Sequence, residues 1–310
     1  MKSPKIVLAV TLAAATLTVG GMTAGESATA DRSRPAEDAA GCNRPLRVLL
    51  TNDDGWRGGG IQAVYAALKA AGHDVRMVAP AGSQSGMGAR IAYGGVLEVT
   101  HPDVDDPTVT AVLGSPSDAV AFALSNLYTN RAPDVVISGT NFGQNTSRVT
   151  NHSGTVGAIT TAIDRGIPGI AVSSEAAGDY DPTNATSPDF ADTAKFVVRL
   201  LRKVQRSADN CAHLMPRHMG LNVNYPFGGL KGVKAATLDS IDPFPTTYTL
   251  RDDGDYDISY ANASSERRGV DYKLLARGNA TLTPIDGDLS SVERPRGAKF
   301  VADLVGRLSN

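Results

Sequence analysis

Val48-Leu49-Leu50-Thr51-Asn52-Asp53-Asp54-Gly55 decides how this chain is read. An apolar, strand-forming run drives straight into two adjacent carboxylates and a glycine. A strand that ends this way sets its charges at the carboxyl edge of a sheet, where open α/β sheets bind their ligands. Two neighbouring carboxylates repel each other there unless something positive bridges them. A hard divalent cation with oxygen ligands is the simplest partner. A plain solvated turn is the competing reading, because Asn, Asp and Gly are common turn residues.

Outward from this stretch, strands and helices alternate. Ile61, Val64, Tyr65 and Leu68 recur at helical spacing, and Gly72 closes that helix. Val75 to Ala79 predicts a second strand, ended by Pro80. Val96 to Thr100 and Val109 to Leu113 predict two more, arranged as a meander. Ser115-Pro116-Ser117-Asp118 starts a helix with an N-cap. Val135 to Ile137 is a continuous apolar run, as in a central parallel strand. Ser153 to Arg165 predicts a helix of small residues, Ile170 to Ser173 a strand, and Phe190 to Leu201 a further helix. This alternation is the pattern of a doubly wound, mostly parallel α/β sheet. After about residue 219 the pattern shifts to short strands, Leu221 to Asn224 and Ala280 to Thr283 among them. A closing helix is expected over Lys299 to Leu308.

The first thirty residues do not read as fold. Lys2 and Lys5 precede an apolar stretch, Ile6 to Thr18, and Ala28-Thr29-Ala30 is a small-residue cleavage pattern. That is a secretory signal peptide, and the apolar stretch is too short and alanine-rich for a good membrane span. Secretion, or another location outside the cytoplasm, is therefore expected, with no membrane span after processing. Residues 31–43 read as a flexible mature N-terminus, 44–235 as the α/β core and 236–310 as a β-rich C-terminal extension. Removing residues 1–30 leaves 28 basic and 31 acidic residues, a net charge of −3. Nothing in that balance suggests a nucleic-acid groove. The two cysteines, Cys42 and Cys211, suit one disulfide in an exported chain better than a metal or catalytic role.

The loops after successive strands gather at one sheet edge. They hold Asn52 to Gly55, Gly82 to Gly86 and Ser138 to Asn145, all oxygen donors or glycines apart from Phe142. No thiolate is present, and His152 is the nearest imidazole. Such a set suits Mg²⁺, Mn²⁺ or Ca²⁺ better than zinc or copper. His152-Ser153-Gly154-Thr155-Val156-Gly157 then opens a helix, where free amides and hydroxyls form an anion site. Ordinary N-capping by Ser153 is the competing reading. A cation set beside an anion-binding helix start is the layout of metal-assisted phosphoryl hydrolysis.

These motifs resemble the SurE family, the survival-protein 5′/3′-nucleotidases also described as acid phosphatases. The resemblance rests on Asn52-Asp53-Asp54-Gly55, the Ala79 to Gly86 loop, Gly114-Ser115-Pro116-Ser117-Asp118, Pro133 to Asn145 and Ser153-Gly154-Thr155-Val156. Weaker echoes follow at Asn222 to Pro226 and Thr281 to Pro284. The resemblance implies a Rossmann-like core with a smaller extension, and a homodimer or higher homo-oligomer whose extension often exchanges elements between subunits. It implies Asp53, Asp54, Ser85 and Asn141 as ligands of a divalent cation, the two aspartates being catalytic. It implies Asn145, Ser153, Gly154 and Thr155 on the phosphate side, and Gly114 and Asp118 as structural support. The implied substrate is a small-molecule nucleotide, a nucleoside monophosphate cleaved to nucleoside and phosphate. Gln84 departs from the family, which usually has a basic residue before the loop serine, and residues 239–270 show little family character.

Two other readings stand beside this one. An exported protein that binds nucleotide or phosphate without catalysis would use the same anion site, and turnover separates the two. A dinucleotide-dependent oxidoreductase is disfavoured. No Gly-x-Gly-x-x-Gly follows the first strand, and the Asp53-Asp54 pair would repel a pyrophosphate. No Gly-x-Ser-x-Gly elbow with a histidine partner points to a serine hydrolase.

Overall fold

Arg47–Thr51 forms strand β1, whose side chains alternate between two cores. Val48 and Leu50 pack into one, Leu49 into the other, as the period of two requires. Burial on both faces is why this run is apolar throughout. The protein is described by a computed structural model covering residues 44–102, 105–176, 190–208, 214–261, 263, 266–288, 299 and 301–305. The segments expected to be a signal peptide and a flexible N-terminus, residues 1–43, and both Cys42 and Cys211 lie outside the described residues.

In chain order β1 is followed by α1 (Gly59–Ala70), β2 (Asp74–Pro80), β3 (Val99–Thr100), β4 (Val109–Val112), α2 (Pro116–Asn126) and β5 (Val135–Phe142). Then come α3 (Gly154–Asp164), β6 (Gly169–Ser174), α4 (Phe190–Ser207), β7 (Gly220–Tyr225) and β8 (Gly232–Ala235). The chain continues through β9 (Thr246–Leu250), β10 (Tyr256–Tyr260), α5 (Asp271–Leu275) and β11 (Asn279–Ile285). The main sheet runs β3-β4-β2-β1-β5-β6-β7-β11-β8. From β4 to β7 the neighbours are parallel, with Val48 opposite Val135 and Leu50 opposite Ile137. The chain winds outward from β1 through β2 and β4, then returns to β5 on the other side of β1. Strand order therefore reverses between β1 and β5, where such sheets open a crevice at their carboxyl ends.

Helices cover both faces. Ile61, Val64 and Leu68 of α1 share a core with Ala194, Val197 and Leu201 of α4. Ala119 and Val120 of α2 share the opposite core with Ile159 and Ile163 of α3. The Ser115 signal is realised in full. Its hydroxyl accepts from the Asp118 amide at 3.0 Å, and the Asp118 carboxylate accepts from the Ser115 amide at 2.9 Å and from Ala92 N at 2.8 Å. Asp118 is thus structural, and it holds the 90–92 segment against α2.

One expectation is corrected. The meander predicted over Val96 to Leu113 is reduced to a two-residue bridge, Val99–Thr100 against β4, while β4 itself joins the parallel set beside β2. The expected β-rich C-terminal extension holds β9, β10 and β11. Strand β11 returns between β7 and β8 and completes the main sheet, because Ala280, Thr281 and Thr283 are buried there. What projects is the two-stranded ribbon β9–β10, exposed along its whole length. The closing helix is present at Lys299 and 301–305, and its other residues lie outside those described. Among the described residues, no helix is long and apolar enough to cross a membrane.

Candidate active site

The crevice at the β1/β5 switch is a cleft of about 590 Å³, within the range of small-molecule sites. Three loops and one helix start build it. Asp53 follows β1, Ser85 follows β2, Asn141 and Asn145 sit at the end of β5, and Ser153 caps α3; all five line the cleft. Residues up to a hundred positions apart meet because parallel strands end at one edge.

Asp53 is 3 % exposed and is held by the start of α3. Its carboxylate accepts the Thr155 hydroxyl at 2.5 Å and the Thr155 amide at 3.1 Å. Burial pushes the Asp53 carboxyl above its ordinary range, and the bonds from Thr155 oppose that. The amides at the positive end of α3 thus face a carboxylate of the protein itself. Thr155 is fully buried, with both its groups committed to Asp53. In this structure it positions the carboxylate. Gly154 works with it. A Cβ at Gly154 would lie 2.8 Å from the Asp53 Cβ and 3.0 Å from its Oδ2, so only glycine lets the helix approach this closely. Gly157, one turn on, would meet the Gly88 carbonyl oxygen at 2.2 Å, so the Ser85 loop also packs directly on the helix backbone.

Asp54 is set back from the cleft surface. Its Oδ2 accepts the Phe142 amide at 3.0 Å, while Oδ1 is buried and has no hydrogen-bond partner. Burial, together with the adjacent Asp53 charge, raises its pKa to about 7. A half-buried carboxylate with one enclosed and orphaned oxygen, beside a second carboxylate, has a structural need for positive charge. The side chains lining the cleft include no Lys or Arg among the described residues. Asn141 adds a neutral oxygen. Its Nδ2 donates to the Phe142 and Gly143 carbonyls at 3.1 and 2.8 Å, so Oδ1 is the atom left for a ligand. Ser85 completes the set from a loop pinned by the Gln84 amide, which donates to the Asp53 carbonyl at 2.6 Å. The donor set is therefore all oxygen and fits a hard divalent cation. Among the described residues there is no group of three or more His, Cys, Asp or Glu that could hold a metal, so such a cation would depend on Ser85 and Asn141 as well as the two aspartates.

Ser153 and Asn145 form the other wall. Ser153 Oγ accepts the Val156 amide at 3.2 Å, which leaves its hydrogen for a ligand. Asn145 is clamped by residues that sequence reasoning did not single out as site residues. Its amide nitrogen donates to Asn224 Oδ1 at 2.8 Å, its carbonyl accepts from Asn222 and Asn224, and its side chain bonds Ser173 Oγ at 2.8 Å. Asn222 and Asn224 lie two apart on β7 and so share a face, a signal visible in the sequence but silent until β7 is placed beside β6. Asp271 was missed as well. It accepts the Ser147 amide at 2.9 Å and so fixes the turn that leads into His152 and Ser153. His152 is exposed on the cleft wall.

The chain is similar to known proteins over most of its length. The family profile described as "Survival protein SurE" matches residues 48–243. The chain is 35 % identical over 261 residues to a protein of Desulfovibrio desulfuricans named 5'-nucleotidase SurE, covering 80 % of this chain and 95 % of that one. A 5'-nucleotidase SurE of Methanopyrus kandleri is 32 % identical, with 80 % of this chain and 95 % of that one covered. Among solved structures, the SurE protein from Aquifex aeolicus superposes with a TM-score of 0.68 at 27 % identity, over 82 % of this chain and 99 % of that one.

Proposed function

The chain belongs to the SurE family, and from that premise we propose that it is an exported, divalent-metal-dependent phosphomonoesterase that hydrolyses nucleoside monophosphates to nucleoside and phosphate. One observation supports the chemistry above all others. Asp53, buried against the N-terminal end of α3, lines the crevice with two neutral oxygen donors and the Ser153 hydroxyl, and the adjacent Asp54 carries an orphaned carboxylate oxygen.

In this reading Asp53, Asp54, Ser85 and Asn141 hold Mg²⁺, Mn²⁺ or Ca²⁺. When bound, the cation neutralises the carboxylates and draws electron density from the phosphoryl group. Thr155 and the Phe142 amide keep the two carboxylates in place, so no reorganisation is needed as the reaction proceeds. The Ser153 hydroxyl and the Asn145 side chain hold phosphoryl oxygens on the opposite wall. Asn145 Nδ2 donates one hydrogen to Ser173 Oγ, so its second hydrogen is left for a phosphoryl oxygen. His152 is the group on the cleft wall suited to give the departing alkoxide its proton. Gln84, where a basic residue is usual, leaves anion attraction to the cation and to these neutral donors.

Phosphate release from a panel of nucleoside monophosphates is the direct test. Activity should disappear after chelation and dialysis and return with Mg²⁺ or Mn²⁺. Full turnover in excess chelator would sink the metal-dependent reading, and binding without turnover would favour the non-catalytic alternative.

The same proposal includes export and self-association. The Ala28-Thr29-Ala30 cleavage pattern supports the first. The second is supported by the ribbon, on which Tyr248, Leu250, Tyr256 and Ile258 expose 58–70 % of their surface. The chain recovered outside the cytoplasm should begin near residue 31, and light scattering should give at least a dimer. An intact N-terminus, or a monomer at micromolar concentration, would remove the corresponding part.

A further inference from the structure

The cleft has a second wall that the phosphoryl chemistry does not use. Phe244 and Tyr260 line it together with Asp53, Asn145 and Ser153. They stand at the two feet of the ribbon, Phe244 just before β9 and Tyr260 at the end of β10. Their rings meet edge to face, with centroids 5.7 Å apart and planes 82° apart. Backbone bonds tie the feet together: Ala261 N donates to the Pro245 carbonyl and Ala263 N to the Pro243 carbonyl, both at 3.0 Å. A further bond ties them to the site. The Arg148 amide donates to the Ile241 carbonyl at 3.1 Å, and the Arg148 side chain to the Ser240 carbonyl. The aromatic pair therefore hangs from the Ser147–Asn151 turn, which leads directly into Ser153.

Packing does not account for Tyr260, which is 50 % exposed. An edge-to-face contact covers at most one face of each ring, so Tyr260 keeps ring surface available on the cleft side. No Lys or Arg side chain lines the cleft among the described residues, so the body of a ligand has no cationic side chain to hold it there. What an open aromatic face at the mouth of a small-molecule cleft binds well is another flat aromatic ring.

We propose that Phe244 and Tyr260 form a stacking wall for the base of a nucleoside monophosphate, making them specificity residues that select nucleotides over phosphomonoesters of aliphatic alcohols. The inference rests on the phosphomonoesterase reading above. The wall reads ring area, and Phe244 offers a base no hydrogen-bonding group. Purine nucleotides should therefore bind better than pyrimidine nucleotides.

The test is steady-state hydrolysis of adenosine 5′-monophosphate, cytidine 5′-monophosphate and ribose 5-phosphate by the full chain and by two variants. Tyr260→Ala should raise KM for the adenosine nucleotide roughly 5- to 100-fold, the cost of losing one base–aromatic stack. Its kcat/KM for ribose 5-phosphate should be unchanged, and Tyr260→Phe should behave as the parent protein does. Equal losses on ribose 5-phosphate would make the residue structural and overturn the wall, and so would an unchanged KM for the adenosine nucleotide. A parent protein that cleaves ribose 5-phosphate as well as the nucleotides also overturns it while leaving the reaction intact. If none of the three is cleaved, the phosphomonoesterase reading itself fails.

Discussion

Asp54→Asn is expected to lower kcat/KM by about a thousandfold or more while the melting temperature of the metal-free protein holds or rises. The two halves of this result come from one environment. Asp54 is half-buried beside Asp53, its enclosed Oδ1 has no partner, and its pKa is raised to about 7, so its charge is resisted by the fold. A residue kept in that state serves something other than stability. Asparagine retains the shape and can still accept the Phe142 amide, but it removes the charge that a cation needs. Asp53→Asn should lose as much activity yet also lose stability, because Asp53 accepts both the hydroxyl and the amide of Thr155. A charge-assisted bond of that kind contributes roughly 1.5–3 kcal/mol. Kinetics and thermal melts on the same preparations decide the matter. An Asp54→Asn enzyme with near-parental turnover would show that the carboxylate pair is merely a turn.

The second large effect is expected at a residue with no functional group. Gly154→Ala should reduce kcat about a hundredfold, the order of loss from displacing a catalytic group by about 1 Å. The new methyl would stand 2.8 Å from the Asp53 Cβ and 3.2 Å from the Gln84 carbonyl, so either the carboxylate or the Ser85 loop must shift. The backbone itself tolerates alanine, since Gly154 opens α3 outside the left-handed region that favours glycine. The protein should therefore remain folded while its chemistry fails. Circular dichroism with kinetics checks this, and an Ala variant with unchanged kcat would mean that the α3 start does not set the position of Asp53.

Much of the architecture was legible because the signals are local. The apolar run of β1, the 3.6-residue spacing of Ile61, Val64 and Leu68, and the Ser115/Asp118 capping pair each specify an element within a few residues. The ribbon went unpredicted even though Tyr248, Leu250, Tyr256 and Ile258 alternate around an Asp-Gly turn. That alternation normally signals a strand with one buried face, and here it covers a strand pair with no buried face at all. The short β3 was overestimated for the related reason that an edge strand has little packing to define its ends.

The site divides along the same line. The sequence by itself determined the chemistry of the edge: two carboxylates after β1, hydroxyls and amides after β2 and β5, and small residues opening α3. Tertiary structure alone decided which partner each group meets. The resemblance places Thr155 on the phosphate side, and packing α3 against β1 brings its hydroxyl and amide to Asp53, 102 residues away. Asn145 acquires its clamp from Asn222 and Asn224, 77 and 79 residues on, only because β7 pairs with β6 in one register. Phe244 and Tyr260 enter the cleft only because the ribbon is anchored to the turn before Ser153. Local sequence encodes conformation through interactions within one turn or one strand. The direction and partner of a polar side chain depend on strand order and register, which arise when the whole sheet forms.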